Sequence, residues 1–332
     1  MTKETSPKDR KLRHAEYYGM TEIFDKIYSK SLKGDNFKNL MQIIISDNNI
    51  VLAYRNIKRN HGSVTRGEDG VTIKDIENLN RNEFVEIVRK RFAHYNPRKV
   101  RRVEIPKYNG KLRPLGIPSI WDRIAQQCIL QVLEPICEAK FNNHSYGFRP
   151  NRSAEHAIAD CMARMNQSHM EYVVDVDIKG FFDEVNHTKL MRQIWSMGIR
   201  DKQLLLIIRK MLRAPVVLPN GKLIYPTKGT PQGGILSPLL ANINFIAQKG
   251  RCAVTGEELI LSEMHCHHII PYHESKSDSY ENLVIVTEEV HRVIHATQSE
   301  TIEELLKYLK LNPKQKEKLN ELRLKVGNEE IS

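Results

Sequence analysis

A change of composition after about Ile243 constrains this chain most, because it divides 332 residues into two units of different chemistry. Before it, basic and aliphatic residues run in helical and extended patterns. Beyond it cysteine and histidine become frequent, and a compact second unit is predicted to begin near Gln248. The length leaves room for two domains, and 40% apolar residues suffice for ordinary cores. Lys plus Arg outnumber Asp plus Glu by 51 to 40, and this +11 surplus favours a polyanionic partner. Nowhere do about 18 apolar residues run together, so no membrane span is expected. The N-terminal residues 1–17 are too polar and charged for a signal peptide. Cys128, Cys137, Cys161, Cys252 and Cys266 are scattered and odd in number, which fits a reducing cytoplasm better than a disulfide framework.

Along the chain, residues 1–35 read as a polar, basic and loosely held arm or helix. The spacing from Asn36 to about Lys58 predicts a helix, with Leu40, Ile43, Ile44, Val51, Leu52 and Tyr54 as core positions. Residues 60–70, rich in Gly, Ser and Asp, should form a loop. Ten basic side chains fall between residues 89 and 113, with only Glu104 opposing them in that stretch. Asn109-Gly110 between two short extended runs marks a hairpin tip, and the charge density favours a phosphate-tracking surface over a merely solvated hairpin. Helical patterns follow at 119–141, 153–166 and from His187 to Leu212, with a buried strand over Tyr172 to Ile178 and a hairpin at Asn220-Gly221. In the tail, Thr301 is the expected N-cap of one helix. Asn312 with Pro313 starts another that ends by Gly327.

Four long blocks occur in order: Lys111-Leu-Arg-Pro-Leu-Gly-Ile-Pro118, Ser145-Tyr-Gly-Phe-Arg-Pro-Asn-Arg-Ser153, Asp177-Ile-Lys-Gly-Phe-Phe-Asp183 and Gly229-Thr-Pro-Gln-Gly-Gly-Ile-Leu-Ser-Pro238. Together they closely resemble the fingers and palm of group II intron reverse transcriptases over about residues 36–243, and Arg66-Gly-Glu-Asp-Gly-Val-Thr72 resembles the block that precedes them. The resemblance implies that Asp177 would hold a divalent ion, that Phe182 would screen the sugar 2′-hydroxyl, and that Gln232 would line the nucleotide pocket. Lys111 and Arg113 would meet phosphates, and Gly229, Gly233 and Gly234 would let the backbone approach a template strand. With Arg101, Arg102, Lys107, Arg149 and Arg152, those two basic residues make up the expected nucleic-acid surface. Such polymerases also need adjacent aspartates to hold two metal ions, and this sequence contains no Asp-Asp dipeptide. After Leu240-Ala-Asn-Ile243 the chain passes almost directly to Gln248-Lys-Gly-Arg-Cys252, as if motif C, the thumb and the DNA-binding region had been deleted in frame. Polymerase activity is therefore expected to be lost. The incomplete palm sheet leaves an edge open to self-association or to a partner in trans.

The C-terminal blocks are Arg251-Cys-Ala-Val-Thr-Gly256, Met264-His-Cys-His-His-Ile-Ile-Pro271, Glu281-Asn-Leu283 and His291-Arg-Val-Ile-His295. His291 and His295, four apart, share one face of a helix and can ligate one metal ion. His267 and His268 are consecutive on an extended segment, so their side chains diverge and one can reach the metal while the other faces a water. The blocks resemble the HNH, or ββα-metal, nucleases over about residues 248–297. The resemblance implies His267, His291 and His295 as metal ligands, His268 as general base and Asn282 as an orienting group. One divalent ion (Mg, Mn or Zn) is expected. A structural zinc is not, because Thr255 stands where a second cysteine would be.

The expected architecture is α/β (α+β): a truncated reverse-transcriptase fingers/palm at 36–243, a small ββα-metal nuclease at 248–297, and C-terminal helices at 298–332. The expected partners are a DNA target and group II intron RNA. The leading reading is a cytoplasmic, metal-dependent HNH DNA endonuclease. The alternatives are a non-catalytic, maturase-like RNA-binding protein and a decayed mobile-element product.

Overall fold

The computed structural model describes residues 14–106, 110, 112–167, 180–231, 233–245, 252–257, 264–270 and 283–331. These fall into two compact units. The first gathers the described residues up to Phe141 with Gly147–Arg152 and Val185–Asn244. The second gathers Asn142–Tyr146, the described part of Ser153–Glu184, and the described residues from Phe245 onward.

In the first unit, short helices α1 (His14–Tyr17), α2 (Thr21–Leu32), α3 (Leu40–Ile44) and α4 (Asp47–Lys58) are followed by α5 (Ile73–Ile76) and α6 (Arg81–Ala93). The single helix expected over 36–58 is thus two, broken at Ser46, whose backbone is extended where it N-caps α4. The 60–70 loop contains one 3-10 turn at His61–Val64. Strands β1 (Val100–Pro106) and β2 (Leu112–Ile117) form the antiparallel hairpin, with Arg101 opposite Ile117 and Pro106 opposite Leu112. Next come α7 (Ile120–Glu138), α8 (Ala154–Gln167) in the second unit, α9 (His187–Ser196) and α10 (Lys202–Leu212). The short hairpin β3 (Val216–Val217) and β4 (Leu223–Ile224) joins β1 in parallel, giving the sheet order β2-β1-β3-β4. Helix α11 (Ser237–Phe245) closes the unit.

The centre of this unit is α7, whose Ile120, Ile124, Ile129, Leu133 and Ile136 are wholly buried. Burying a helix on most of its faces removes water from its polar groups, so each must find a protein partner. Asn49 supplies such partners: its amide donates to the Ile44 and Cys128 carbonyls, and its side-chain oxygen accepts from Gln131 at 2.8 Å. At the start of α7, Asp122 accepts from Tyr95 Oη, Ser119 Oγ and the Arg98 backbone. Arg123 donates to the carbonyls of Pro118, Gly62 and Thr65, fastening the 3-10 turn to the end of the hairpin.

Gly233 sits at φ +101°, and a Cβ there would lie 2.4 Å from the Gly116 carbonyl oxygen on β2. The close approach that this glycine permits within the fold is to the protein's own β2. Gln126 holds the same segment by accepting from Ile235 N at 2.8 Å.

In the second unit, β5 (Met264–His268) pairs antiparallel with β6 (Leu283–Thr287), and α12 (Glu288–His295) follows β6 directly. Helices α13 (Ser299–Leu309) and α14 (Pro313–Lys325) complete it. The N-cap of α13 is Gln298 rather than Thr301, so Thr301 lies inside the first turn. Asn312 caps α14 as expected, with a reciprocal Gln315. Val286, Val290, Val293 and Ile294 share one core with Cys252, Val254, Leu305, Leu319 and Leu322, so the terminal helices pack directly on the ββα element. No helix of the described residues is long and apolar enough to cross a membrane.

Candidate metal centre and nucleic-acid surface

Three histidines meet where β5 faces α12. Val290, Val293 and Ile294 turn the apolar side of α12 into the core, and this rotation fixes His291 and His295 on an adjoining stripe. One potential ligand atom from each of His267, His291 and His295 lies within 4.8 Å of the others. Ring centroids are 5.5 Å apart for His267 and His291, 5.1 Å for His267 and His295, and 4.8 Å for His291 and His295. His295 Nε2 stands 3.3 Å from His267 Nδ1. Two nitrogens on one tetrahedral ion at the usual bond length stand about 3.3 Å apart, so this edge already has that spacing.

His267 is 2% exposed, and its Nε2 is buried with no hydrogen-bond partner among the described residues. Burial first, then the neighbouring His295, His291 and His268, push its pKa down to about 4. Burial also lowers that of His295. Both rings are therefore neutral near pH 7, the form that binds metals. The donor set fits a divalent ion held by three imidazole nitrogens with a position left open.

His268 is the next residue on β5, in register with Leu283 of β6, and is partly exposed. Strand alternation sends it to the face opposite His267. Asn282, which precedes Leu283 in the sequence, lies outside the described residues.

The HNH endonuclease family matches residues 250–296, and the reverse transcriptase (RNA-dependent DNA polymerase) family matches residues 105–248. The group II intron-encoded protein LtrA of Lactococcus lactis is 35% identical over 224 residues, 67% of this chain and 34% of its own length. The putative COX1/OXI3 intron 2 protein of Saccharomyces cerevisiae is 33% identical over 194 residues, 58% of this chain and 22% of its own. This chain belongs to the group II intron-encoded reverse transcriptases and maturases with a C-terminal HNH segment. Protein YkfC of Escherichia coli is 36% identical over 211 residues, 62% of this chain and 55% of its own. The chain thus spans about half the length of YkfC and a third of LtrA.

The residues expected from the polymerase resemblance lie only partly among the described ones. Asp177 and Gln232 lie outside the described residues, as does the expected strand over 172–178. Phe182 is half-buried, with its ring edge-on to Phe181 at 5.8 Å.

The basic stretch is less free than its composition implies. Arg89 pairs with Asp47, Lys90 with Glu86 at 3.7 Å, Arg98 with Asp69 at 3.6 Å and Lys99 with Glu68 at 3.4 Å. Three of those acids lie well before residue 89, which is why the local count of charges missed them. Arg91 lies over the Trp121 ring at 5.2 Å. Arg101 donates to the Arg66 carbonyl at 2.8 Å and forms no ion pair among the described residues; Arg102 is half-buried and Arg113 is exposed. Lys107 and Lys111 lie outside the described residues, and Arg152 is half-buried.

Arg149 corrects its expectation. It is 6% exposed and forms a two-pronged pair with Glu138, both contacts 2.8 Å, so its guanidinium is committed to the fold.

Two functional supports had no sequence signal. Arg323 is 3% exposed and donates to the Val293 and Ala296 carbonyls at the end of α12, while Asn328 donates to the Ile294 carbonyl at 2.8 Å. They cap the helix that carries His291 and His295, where a cation also suits the helix dipole.

Proposed function

We propose that this chain is a metal-dependent HNH DNA endonuclease joined to a reverse-transcriptase fingers/palm that no longer polymerises. The convergence of His267, His291 and His295 carries the reading. In it, residues 36–243 are the polymerase-derived module, 248–297 the nuclease, and 298–332 helices that brace it. A bound divalent ion would stabilise charge on the scissile phosphate and assist departure of the 3′ oxygen. His268 takes the proton from the attacking water, and Asn282 orients the loop beside it. Three imidazoles are borderline-soft donors, so zinc is expected in preference to manganese or magnesium. Five cysteines, odd in number and scattered, fit work in a reducing cytoplasm.

The test is nicking of supercoiled plasmid by purified protein with Zn²⁺, Mn²⁺, Mg²⁺ or EDTA. Cutting that needs metal and stops with EDTA supports the proposal. Folded protein that binds metal and never cuts would sink it.

Loss of polymerisation rests on chemistry. The reverse-transcriptase match ends at residue 248 and the nuclease match begins at 250, and no Asp-Asp pair occurs in the sequence. Asp177 alone cannot hold two ions for in-line phosphoryl transfer. Primer extension on an RNA template should give no cDNA. Product from the pure chain would refute the loss, while product appearing only with a second polypeptide would point to a partner completing the palm.

A second reading, intron RNA binding without cleavage, is favoured by the exposed Arg113 and by Arg101, which has no ion pair among the described residues of the hairpin and its surroundings. Tight RNA binding together with absent nicking would select it.

A further inference from the structure

Helices α9 and α10 of the first unit enclose a cavity of about 400 Å³ far from any residue invoked for cutting in the sequence. Arg192, Arg209 and Arg213 line it with Trp195, Leu205 and His187. All three arginines are exposed, and among the described residues the ion pairs involve none of them. Three unneutralised guanidiniums around one concavity make an anion site, since each offers planar, paired donors to phosphate oxygens. Trp195 presents an apolar surface at the same place. It is 41% exposed, with Arg200 over its ring at 5.5 Å. An aromatic beside such cations is a platform on which a base can stack.

His187 adds the discriminating feature. It is 4% exposed, and its Nε2 lies 2.7 Å from the Gly229 carbonyl oxygen. A carbonyl can only accept, so Nε2 carries the hydrogen, and in the neutral ring Nδ1 is then an acceptor. Burial lowers the pKa of this ring, with Arg213 and Arg209 adding to the effect against the opposing Gly229 hydrogen bond, so the neutral form prevails. That Nδ1 is buried and has no hydrogen-bond partner among the described residues. His187 lines the cavity, and a buried acceptor left without a partner calls for a donor from the ligand. A phosphate ester offers none, whereas the 2′-hydroxyl of a ribose does.

We propose that this cavity binds one ribonucleotide unit of an RNA strand, its phosphate held by Arg192, Arg209 and Arg213, its 2′-hydroxyl donated to His187 Nδ1, and its base laid against Trp195. The cavity belongs wholly to the first unit, so this proposal and the nuclease reading can fail separately.

The experiment follows Trp195 fluorescence in the full chain during titration with a single-stranded RNA tetranucleotide, the DNA tetranucleotide of the same sequence, and inorganic phosphate. Two tryptophans are present, and Trp121 is stacked on Phe84, so Trp195→Phe identifies the responding ring. RNA should quench Trp195 and bind about tenfold more tightly than DNA, the loss expected for one hydrogen bond. Arg209→Ala and Arg213→Ala, both at exposed positions, should each weaken binding and lower the salt slope by about one. Equal affinity for RNA and DNA would overturn the proposal, as would quenching that survives in Trp195→Phe. Inorganic phosphate giving the full response alone would also overturn it, by reducing the cavity to a plain anion site. The comparison of RNA with DNA uses unaltered protein, so it stands even where a variant folds poorly.

Discussion

Purified His268→Ala protein is expected to nick supercoiled plasmid about 10²- to 10⁴-fold more slowly than the unaltered chain, the range that a general base contributes. Its metal stoichiometry and melting temperature should hardly change. The reason lies in β5: alternation turns His267 toward His291 and His295 and turns His268 away, so the base is lost without touching the three convergent rings. His291→Ala makes the contrast, because it removes one of those rings and should lose metal binding together with cutting. Nicking and metal titration measured on the same preparations separate the two outcomes. A His268→Ala protein that cuts at the original rate would remove His268 from the mechanism. A His291→Ala protein that keeps its metal would remove the cluster.

Arg323→Ala should destabilise the second unit by about 3 kcal/mol or more, the cost of stripping hydrogen bonds from a buried network. Its guanidinium donates to Val293, Ala296 and Glu329, so truncation leaves carbonyl groups without partners in a site from which water is excluded. The Val293 and Ala296 carbonyls belong to the last turn of α12 and the residue after it, and that turn carries His295. The variant should therefore also bind metal roughly tenfold more weakly, in the range seen when outer supports of a metal site are lost. Thermal melts with and without metal, joined to a metal titration, read both effects. Unchanged melting with unchanged metal affinity would refute the assignment. Arg323→Lys should recover only part of each, since a single ammonium cannot reproduce the planar fork.

Much of the candidate site was legible because its signals are local. A pair of histidines four apart on an amphipathic helix states its geometry in the spacing, and a doublet on a strand states that its members diverge. The Asn109-Gly110 turn marked the β1–β2 hairpin, and Asn312-Pro313 marked the start of α14. The misjudged residues share a different property. Arg149 and Arg101 look alike in sequence, both in basic loops or strands; only burial against Glu138 distinguishes the first from the second. Likewise the run from 89 to 113 reads as nearly unopposed, because Asp47, Glu68 and Asp69 approach it through folding and not through proximity in the chain.

The sequence by itself determined the family, the two chemical units, the helix and strand identities around the histidines, and the want of any adjacent aspartate pair. Each of these depends on residue type and short-range spacing, which the chain carries wherever it is placed. Tertiary structure alone decided which charges are neutralised, that Gly233 is needed for contact with β2, that Arg323 caps α12, and that His187 leaves an unused acceptor in a cavity lined with arginines. Those properties arise where segments distant in sequence exclude water from one another, and the strength of a charge or hydrogen bond is set by that exclusion.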